Sequence, residues 1–399
     1  MLSGAFPGTG ADAPAAPPRG RPAVVLLRGY SANPWDLRPW RRLQDRFDVR
    51  CLVTRRNEHE ADRLGIPSVP VRALRDFLPR GRAANALTLA AGDRYLGLPA
   101  HLRGARIVHS ADLGTWFSGQ AASLRGRLGF RLVLTVWETI PLLDALRWPW
   151  ERRARTAVLQ AVDLYLPTTE RARQALLLEG VRAERAVVCP PGIDTAHFAA
   201  GGRPERPAGD PPLVVSPGRL VWEKGHHDVL RAVAALRRGL VEAPERLRSC
   251  RVLVVGDGPE RDRLRAHARD LGLGDAVEFR PHVPYDAMPG VYAGASAVCL
   301  ASLARAGWEE QFGMVLAEAM AAGVPIVATT SGAIPEVTGD DATLVAAGDW
   351  AGLARALALV LDERSATRRA VDPERVRRFS DAAAAERLAA AYDRVLAAP

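Results

Sequence analysis

Residues 307–337 read GWEEQFGMVLAEAMAAGVPIVATTSGAIPEV, and this stretch decides how the rest of the chain is interpreted. Its first part is a polar loop that carries Glu310 and ends at Gly313. Residues 314–322 are good helix formers, and Pro325 follows where a helix would have ended. The pattern therefore predicts a loop that delivers a carboxylate to the start of a helix.

A helix start of this kind has a defined chemistry. The backbone N–H groups from Phe312 to Val315 would lack intrahelical partners and would favour a phosphate or a set of sugar hydroxyls. Glu318 follows Glu310 by eight positions, which is far enough along the helix to reach another part of the same ligand. One carboxylate and the amides would hold one end of that ligand, and Glu318 would hold a diol at the other.

The use of basic residues is strongly asymmetric. Of 54 basic residues, 53 are arginine, and Lys224 is the single lysine. It lies in SPGRLVWEKG, residues 216–225, just after a predicted strand and beside Arg219. A forked guanidinium and a compact ammonium near a helix start are suited to clamping a diphosphate.

Length and composition predict a soluble protein of two similar domains. The chain has 399 residues, of which 48% are hydrophobic and 25% charged, and no apolar run is long enough to span a bilayer. Four widely separated cysteines form no metal or redox spacing, so we expect a reducing cytosol. Residues 1–200 carry 29 arginines against 18 acidic residues, whereas the rest of the chain is nearly balanced.

Short apolar strands alternate with helical segments in both halves, which predicts α/β domains with parallel sheets covered on both faces. The expected organisation is a tail over residues 1–20, a first domain over 21–200, a linker over 201–212, a second domain over 213–380 and a closing helix over 381–399. The predicted strands of the first domain are Ala23 to Leu27, Arg50 to Thr54, Ser68 to Val71, Ile107 to His109, Arg131 to Val136, Leu164 to Pro167 and Ala186 to Cys189. Those of the second are Leu213 to Ser216, Arg251 to Val255, Ala276 to Phe279, Ala297 to Leu300, Pro325 to Ala328 and Thr343 to Val345.

The signature in residues 310–336 resembles the retaining glycosyltransferases of family 4, which have the two-domain GT-B fold of Rossmann-like domains. Glu310 and Glu318 have the family's Glu-x7-Glu spacing, and an Ala-Met-Ala-x-Gly-x-Pro run follows. The resemblance implies that Glu310 and the next amides contact the donor sugar, that Glu318 binds the nucleotide ribose, and that the closing helix returns to the first domain. It also implies that Arg219 and Lys224 bind the donor diphosphate. The further donor-side residues that it implies are Gly256, His282, Val283, Gln311, Phe312, Gly313, Met314 and Val315.

The first half departs from the family pattern. Gly29 stands alone where paired glycines are common, and Tyr30 and Asn33 follow it. Trp137 and Glu138 stand where many members have a histidine after a central strand. His109 matches a family histidine near the acceptor cleft, which implies a catalytic place for it beside Glu310, Arg219 and Lys224. These first-half residues are the acceptor-side candidates.

The expected function is transfer of a sugar from a nucleoside-diphosphate sugar to an acceptor hydroxyl, with no cofactor and no metal, since the chain has no Asp-x-Asp. A nucleotide-sugar 2-epimerase of the same fold and a non-catalytic nucleotide-sugar-binding module are the alternatives. Binding to nucleic acid is not expected, because the positive charge is scattered among acidic residues and no aromatic-basic motif appears.

Residues 35–47 predict an amphipathic helix with tryptophans on one side and arginines around it. The simpler interpretation is a helix packed on the first sheet. The alternative is a surface resting on anionic lipid, so we expect a cytoplasmic protein that either stays free or contacts the inner face of the membrane.

Overall fold

A computed structural model describes residues 20–77, 94–143, 149–201, 210–281, 283–362 and 371–398. The strands are β1 Ala23–Gly29, β2 Asp48–Thr54, β3 Ser68–Val71, β4 Ile107–Ala111, β5 Arg131–Val136, β6 Leu164–Pro167, β7 Leu213–Pro217, β8 Arg251–Val255, β9 Val277–Arg280, β10 Ala297–Leu300, β11 Ile326–Thr329 and β12 Ala342–Val345.

The α-helices are α1 Arg38–Arg41, α2 Leu98–Leu102, α3 Trp116–Leu128, α4 Pro149–Ala161, α5 Glu170–Leu178, α6 Thr195–Ala200, α7 His226–Arg237, α8 Arg261–Asp270, α9 Met288–Ala293, α10 Met314–Ala321, α11 Ile334–Thr338, α12 Trp350–Leu361, α13 Pro373–Arg378 and α14 Asp381–Ala397. Short 3-10 turns lie at Ala61–Leu64, Leu74–Phe77, Ala183–Arg185, Trp222–Lys224, Glu245–Ser249, Gly274–Ala276, Tyr285–Ala287 and Gly339–Asp341.

Both domains are built on the same plan. Each holds a six-stranded sheet in which all neighbouring strands run parallel, in the order β3-β2-β1-β4-β5-β6 and β12-β11-β10-β7-β8-β9. The strand order therefore reverses between β1 and β4 in the first sheet and between β7 and β10 in the second. Loops diverge at such a point and leave a crevice at the carboxyl ends of the strands, which is where ligands of open α/β sheets bind.

Burial follows from the apolar composition of the strands. Residues Val24 to Leu27 of β1 and Val298 to Leu300 of β10 are almost completely buried, as strands covered on both faces must be. Helices α7 and α12 pack together on one face of the second sheet, and their alanine and leucine side chains complete its core. The predicted two-domain architecture is confirmed.

The closing helix α14 returns to the first domain, as the family resemblance implied. Leu388, Tyr392 and Val395 are buried in the core formed by β1, β2 and α1. The Tyr392 hydroxyl accepts a hydrogen bond from Trp40 Nε1 at 2.8 Å, which fixes the helix at its middle. A short parallel bridge between Ile193 and Ser380 holds the point where the chain crosses between domains.

Two predicted elements differ in the structure. Residues 186–189 form no strand; they run beside β6 with a single bridge from Tyr165 to Ala186, and Cys189 N–H donates to the Pro167 carbonyl. The expected helix over residues 35–47 is α-helical only in α1, and tight turns continue it to Phe47. Its apolar side chains still face the core, so the interpretation that this segment packs on the sheet is correct.

Candidate active site

The loops that carry the predicted donor-side residues meet at the carboxyl edge of the second sheet. The loop after β7 holds Arg219 and Lys224, and the loop after β10 holds Glu310. These two strands flank the point where the strand order reverses. The sequence placed the three residues on two separate segments, and the fold brings both segments to one crevice.

Lys224 and Glu310 form an ion pair across this crevice. The Lys224 ammonium donates to Glu310 Oε2 at 2.6 Å, and the Ser302 hydroxyl donates to the same oxygen at 2.7 Å. The Lys224 side chain is 15% exposed and the Glu310 side chain is 7% exposed. The ammonium also lies 5.4 Å from the centroid of the Trp308 ring. The single lysine and the first signature glutamate are thus partners of each other.

The start of α10 exposes a run of backbone donors. Gly313, at the N-cap of α10, has a φ of 82°, and the N–H groups of residues 311–315 have no acceptor within the described parts of the chain. The Glu310 carbonyl accepts from Ala333 N–H, and a Cβ on Gly332 would meet that carbonyl oxygen at 2.0 Å. Only glycine fits at position 332 because the Glu310 carbonyl lies so close. The hydrogen bond from Ala333 and this close contact hold the loop before α10 in place.

Glu318 is the fifth residue of α10 and is 7% exposed. Its Oε2 accepts a hydrogen bond from the Tyr292 hydroxyl at 2.6 Å. Burial raises the pKa of the Glu318 carboxyl to about 7, although the hydrogen bond from Tyr292 opposes the rise. A carboxyl with this pKa accepts hydrogen bonds well only near or above neutral pH.

The diphosphate candidates stand on a rigid turn. Arg219 is exposed and makes no side-chain hydrogen bond or ion pair with any described residue. His226 is buried between the Ser216 hydroxyl at 2.8 Å and the Arg219 carbonyl at 3.1 Å, and burial lowers its pKa to about 4. A neutral imidazole thus ties the end of β7 to the start of α7. A Cβ on Gly256 would meet the Gly218 carbonyl oxygen at 2.0 Å, so the turn after β8 lies directly against this segment.

The nucleobase candidates are only partly described. Val283 is half-buried against the core of the second domain, and His282 lies outside the described residues. The neighbouring Tyr285 ring packs on Trp35 of the first domain, with ring centroids 4.9 Å apart. The loop after β9 therefore contacts the opposite domain.

The first domain has its own crevice at the equivalent place between β1 and β4. It is a cleft of about 350 Å³ at the carboxyl ends of β1, β4, β5 and β6. The acceptor-side candidates Gly29, Tyr30, Asn33 and Trp137 all lie on its wall. Other lining residues include Arg28, Asp36, Trp40, Asp112, Thr115, Phe117, Thr135, Thr168 and Leu388.

Asp112, which is not among the site residues predicted from the sequence, is the polar centre of this cleft. Its φ of 58° is in the left-handed region, where a residue other than glycine is strained. Oδ1 accepts from Trp137 N–H at 2.9 Å, and Oδ2 has no hydrogen-bond partner among the described residues. Burial raises the pKa of Asp112 to about 6, against the opposing charges of Arg28 and Arg155.

His109 does not reach the cleft. It is completely buried, with Nδ1 2.7 Å from the Tyr392 hydroxyl and Nε2 2.8 Å from Thr135 Oγ1. Burial lowers its pKa well below the ordinary value. Because both ring nitrogens are bonded to protein groups, the structure gives His109 a role in joining β4, β5 and α14, and the substrate contact that the sequence suggested is not supported.

Glu138 is held away from the cleft by an ion-pair network. The Arg155 guanidinium lies 2.6 Å from Glu138 Oε2 and 2.6 Å from Glu179 Oε1. Arg155 is 5% exposed, so the network is part of the domain's structure. Trp137, which lines the cleft, also contacts the other domain, with its ring centroid 6.4 Å from that of Phe312.

Within the described residues, no group of three or more histidine, cysteine, aspartate or glutamate side chains is arranged to hold a metal ion. The four cysteines are buried free thiols. None of the described helices combines the length and apolar composition needed to cross a bilayer.

Comparison with known proteins assigns both domains. The family model described as "Glycosyl transferases group 1" matches residues 203–383, and that described as "Glycosyltransferase Family 4" matches residues 13–197. The chain belongs to glycosyltransferase family 4. The recognition made from residues 310–336 is confirmed, and the loosely matching first half falls in the family as well.

Several named glycosyltransferases are similar to this chain over part of their length. A D-inositol 3-phosphate glycosyltransferase of Actinosynnema mirum is 33% identical over 65% of this chain and 66% of its own, and one of Acidothermus cellulolyticus is 36% identical over 51% and 47%. A GDP-mannose-dependent alpha-(1-6)-phosphatidylinositol monomannoside mannosyltransferase of Mycolicibacterium smegmatis is 37% identical over 39% and 41%. The chain spans about half the length of the curated relatives that it matches.

Solved structures share the GT-B fold of this family-4 chain. Anabaena HepE in complex with UDP and glucose is 18% identical, with a TM-score of 0.71 over 93% of this chain and 99% of its own. Sucrose-phosphate synthase of Thermosynechococcus elongatus is 22% identical, with a TM-score of 0.72 over 95% and 100%. At this level of identity the likeness concerns the fold.

Proposed function

We propose that this family-4 glycosyltransferase moves a sugar from a nucleoside-diphosphate sugar to an acceptor hydroxyl with retention of the anomeric configuration. One observation carries the proposal: the unpaired amides of residues 311–315 lie between Glu310 and Glu318 and belong to the same crevice as Arg219 and Lys224. Amides at a helix start, two cations and two carboxylates match the phosphates, the sugar hydroxyls and the ribose of such a donor.

The donor would bind mainly to the second domain. Arg219 is exposed and would take the diphosphate as a fork, whereas Lys224 would approach it as a point charge. Glu310 and the amides after it would hold the sugar hydroxyls, and Glu318 would accept hydrogen bonds from the ribose. Gly256 would let the turn after β8 lie close to the phosphates.

Electrostatic stabilisation of the leaving group would be the main source of catalysis. Negative charge grows on the departing diphosphate as the glycosidic bond breaks, and oriented donors that meet this charge lower the barrier. Lys224 is partly shared with Glu310, so a diphosphate competes with a carboxylate for the ammonium. Because the diphosphate is more negative in the transition state than in the bound donor, the ammonium binds it more tightly there than in the ground state.

The acceptor would bind in the first-domain cleft. Asp112 Oδ2 and the Thr168 hydroxyl, which has no hydrogen-bond partner among the described residues, offer polar contacts for a hydroxylated ring. The rings of Trp137 and Phe117 offer apolar faces. The departing phosphate oxygen would take the acceptor proton on the same face of the sugar, so no protein base is needed. Two relatives are named for inositol-containing acceptors, which supports a polyhydroxylated acceptor of that class.

No metal ion or other cofactor is part of the proposal, because Arg219, Lys224 and the amides supply the positive charge. A peripheral contact with an anionic membrane is supported by the net +11 of residues 1–200. Residues 35–47, for which a lipid-facing surface was the alternative interpretation, do not present Leu37, Trp40 and Phe47 to a membrane, because these side chains are buried in the protein. Retention of the protein by anionic vesicles at low salt, and its loss as salt rises, tests this contact.

A panel of UDP-, GDP- and TDP-sugars tests the function. With a true donor, slow hydrolysis should release the nucleoside diphosphate, and NMR recorded before mutarotation should show a sugar with the donor's anomeric configuration. An epimerase would convert the nucleotide sugar without accumulating the free diphosphate. A binding module would leave the donor unchanged while binding it. Either result would contradict transfer.

A further inference from the structure

The first turn of α5, in the first domain, is held by a carboxylate of the second domain. Glu336 Oε1 accepts from Glu170 N–H at 2.6 Å, and Oε2 accepts from Arg171 N–H at 3.1 Å. These two amides open a nine-residue helix, where backbone donors lack intrahelical partners and a negative charge is favourable. One carboxylate therefore binds an end of the opposite domain with both of its oxygens.

A second carboxylate joins the same turn. The Arg171 guanidinium donates from Nε to Glu309 Oε1 at 2.5 Å and from Nη2 to Glu309 Oε2 at 2.7 Å. Glu309 is 8% exposed, and its hydrogen bonds raise the pKa of Arg171. A two-point fork of this geometry fixes orientation as well as distance. We call the contacts of Glu309 and Glu336 with residues 170–171 the closure contact.

Both carboxylates stand on the walls of the proposed donor site. Glu309 directly precedes Glu310, which pairs with Lys224, and the unpaired amides of 311–315 follow. Glu336 lies in α11, and Ala333 just before that helix donates to the Glu310 carbonyl. A displacement of Glu309 therefore reaches Glu310 through the chain directly, and one of Glu336 reaches it through residues 333–335 and the hydrogen bond from Ala333 N–H to the Glu310 carbonyl.

We propose that Arg171 is a positioning residue of the donor site that is contributed by the opposite domain. Its fork on Glu309, together with the two amides on Glu336, holds the loop of residues 309–313 in its reactive position when the domains are closed. The proposal rests on the proposed function for its effect on turnover. The same contact links domain closure to catalysis. When the domains open, the loop of residues 309–313 loses Arg171 and is free to turn away from the diphosphate.

The contact differs from an ordinary surface ion pair. Exposed pairs contribute about 0–1 kcal/mol and involve two mobile side chains. The Arg171 side chain is 49% exposed and that of Glu309 is 9% exposed, so only the carboxylate of this pair is removed from solvent. What distinguishes the contact is that two backbone amides and two guanidinium N–H groups of the first domain bind the two carboxylates of the second. The Glu170 carboxylate accepts a hydrogen bond from Arg173 within α5 at 2.9 Å.

Three variants separate positioning from simple stabilisation. Arg171→Gln removes the charge and the fork, Arg171→Lys keeps the charge without the fork, and Glu336→Gln weakens the hold on the amides. Arg182→Gln is the matched control, because Arg182 is exposed in the same domain and pairs with nearby Glu184. The readouts are kcat and KM for the donor, the ratio of donor hydrolysis to transfer, and the radius of gyration from X-ray scattering with and without nucleoside diphosphate.

For Arg171→Gln we expect kcat to fall by about 10- to 100-fold, as misplacement of reacting groups by about an ångström does. Hydrolysis should rise relative to transfer, and the scattering radius should increase. Arg171→Lys should recover part of kcat, and Arg182→Gln should match the wild type. An unchanged kcat and radius in Arg171→Gln, with no more than a lower melting temperature, would overturn the proposal.

The radius of gyration from X-ray scattering tests the closure contact independently of the proposed function. If no nucleotide sugar is turned over by the wild type, the proposed function fails, yet the radius of the Arg171 and Glu336 variants still reports on the closure contact. An increased radius in these variants but not in Arg182→Gln then supports the contact, and an unchanged radius rejects it.

Discussion

The two crevices occupy equivalent places in two sheets of the same strand order, and they are lined by different chemistry. The second-domain crevice is made of backbone N–H groups, a lysine paired with a glutamate and a buried carboxylate bonded to a tyrosine. The first-domain cleft is lined mainly by apolar and aromatic side chains around one strained aspartate. The fold fixes where a ligand binds, and the lining decides which ligand it is.

The difference is reasonable for the two proposed ligands. A nucleoside diphosphate carries fixed negative charge, and backbone amides and cations recognise it without depending on the rest of the molecule. An acceptor is recognised by shape and by a few hydroxyl contacts, so the residues around it vary in type. The largest effects of substitution should therefore arise in the second domain.

Lys224→Ala should give the largest effect, a fall in kcat of about 100- to 1000-fold at saturating donor, because it removes a donor that meets leaving-group charge. Lys224→Arg should recover only part of the lost kcat, since the planar guanidinium of arginine is wider than the compact ammonium of lysine. Turnover of both variants is measured beside Arg219→Ala.

The ion pair with Glu310 complicates this test, because removal of one partner of a buried pair also destabilises the other, by about 3–5 kcal/mol. Ser302→Ala is the matched control, since it takes the second hydrogen bond from Glu310 and leaves the ammonium in place. A loss in Ser302→Ala as large as in Lys224→Ala would assign the effect to Glu310, and wild-type rates in both lysine variants would remove the diphosphate role.

Glu318→Gln should weaken nucleotide binding by about 1–3 kcal/mol through weaker ribose hydrogen bonds. Since the pKa of Glu318 is raised to about 7, wild-type affinity should fall as pH falls below 7, and the variant's affinity should not. Calorimetric titration with nucleoside diphosphate from pH 6 to 8 measures both. Tyr292→Phe, which keeps the carboxylate, is the control, and equal affinity of wild type and Glu318→Gln at pH 8 would contradict the assignment.

The same carboxyl should lower the stability of the protein at alkaline pH. A glutamate whose folded pKa is raised favours folding when protonated, so this stability is lost as pH rises from about 4.5 through about 7. Glu318→Gln should therefore raise the melting temperature more at pH 8 than at pH 5. A gain that does not depend on pH would mean that the charge is not the cause.

Asp112→Asn should have a smaller effect and should act on the acceptor. Asparagine tolerates the left-handed backbone and still accepts from Trp137 N–H, so the fold should be kept. We expect KM for the acceptor to rise about 10-fold, with donor hydrolysis little changed. In the wild type that KM should also rise as pH falls through about 6. Asp36→Asn, on the same cleft, is the control, and a large loss of donor hydrolysis in Asp112→Asn would place Asp112 in the donor chemistry instead.

A chelator should have the smallest effect. Activity should survive EDTA, because the proposed positive charge comes from Arg219, Lys224 and backbone amides. Loss of activity with EDTA and its recovery with Mn²⁺ would transfer part of the charge stabilisation from the protein to a metal.

The sequence predicted the second crevice better than the first because the signals differ in range. The predicted donor residues of the second crevice lie in one loop and the helix that follows it: Glu310, the amides after it and Glu318. Their spacing along the chain therefore predicts their arrangement in space. The fold could be predicted in the same way, from apolar runs of strand length. Arg131–Val136, Leu164–Pro167 and Arg251–Val255 have the predicted bounds.

Contacts between distant segments could not be predicted. Lys224 and Glu310 are 86 residues apart, and Arg171 and Glu309 are 138 apart, so nothing local showed that they pair. Asp112 did leave a signal, since it directly follows β4 and polar residues at strand ends point to a crevice. The place of His109 near a strand end suggested the cleft, and no local signal showed that its ring would be buried against Tyr392 of the returning helix.

The return of α14 also has a consequence for the order in which the protein folds during synthesis. The first domain would ordinarily fold first as the chain leaves the ribosome. Its core includes Leu388, Tyr392 and Val395, so that core closes only after the second domain has been made. Until then Trp40 lacks its hydrogen-bond partner and the inner face of β1 and β2 is covered incompletely. The nascent first domain should therefore be sensitive to protease and bound by chaperones until the last helix emerges, although its chain was complete nearly 200 residues earlier.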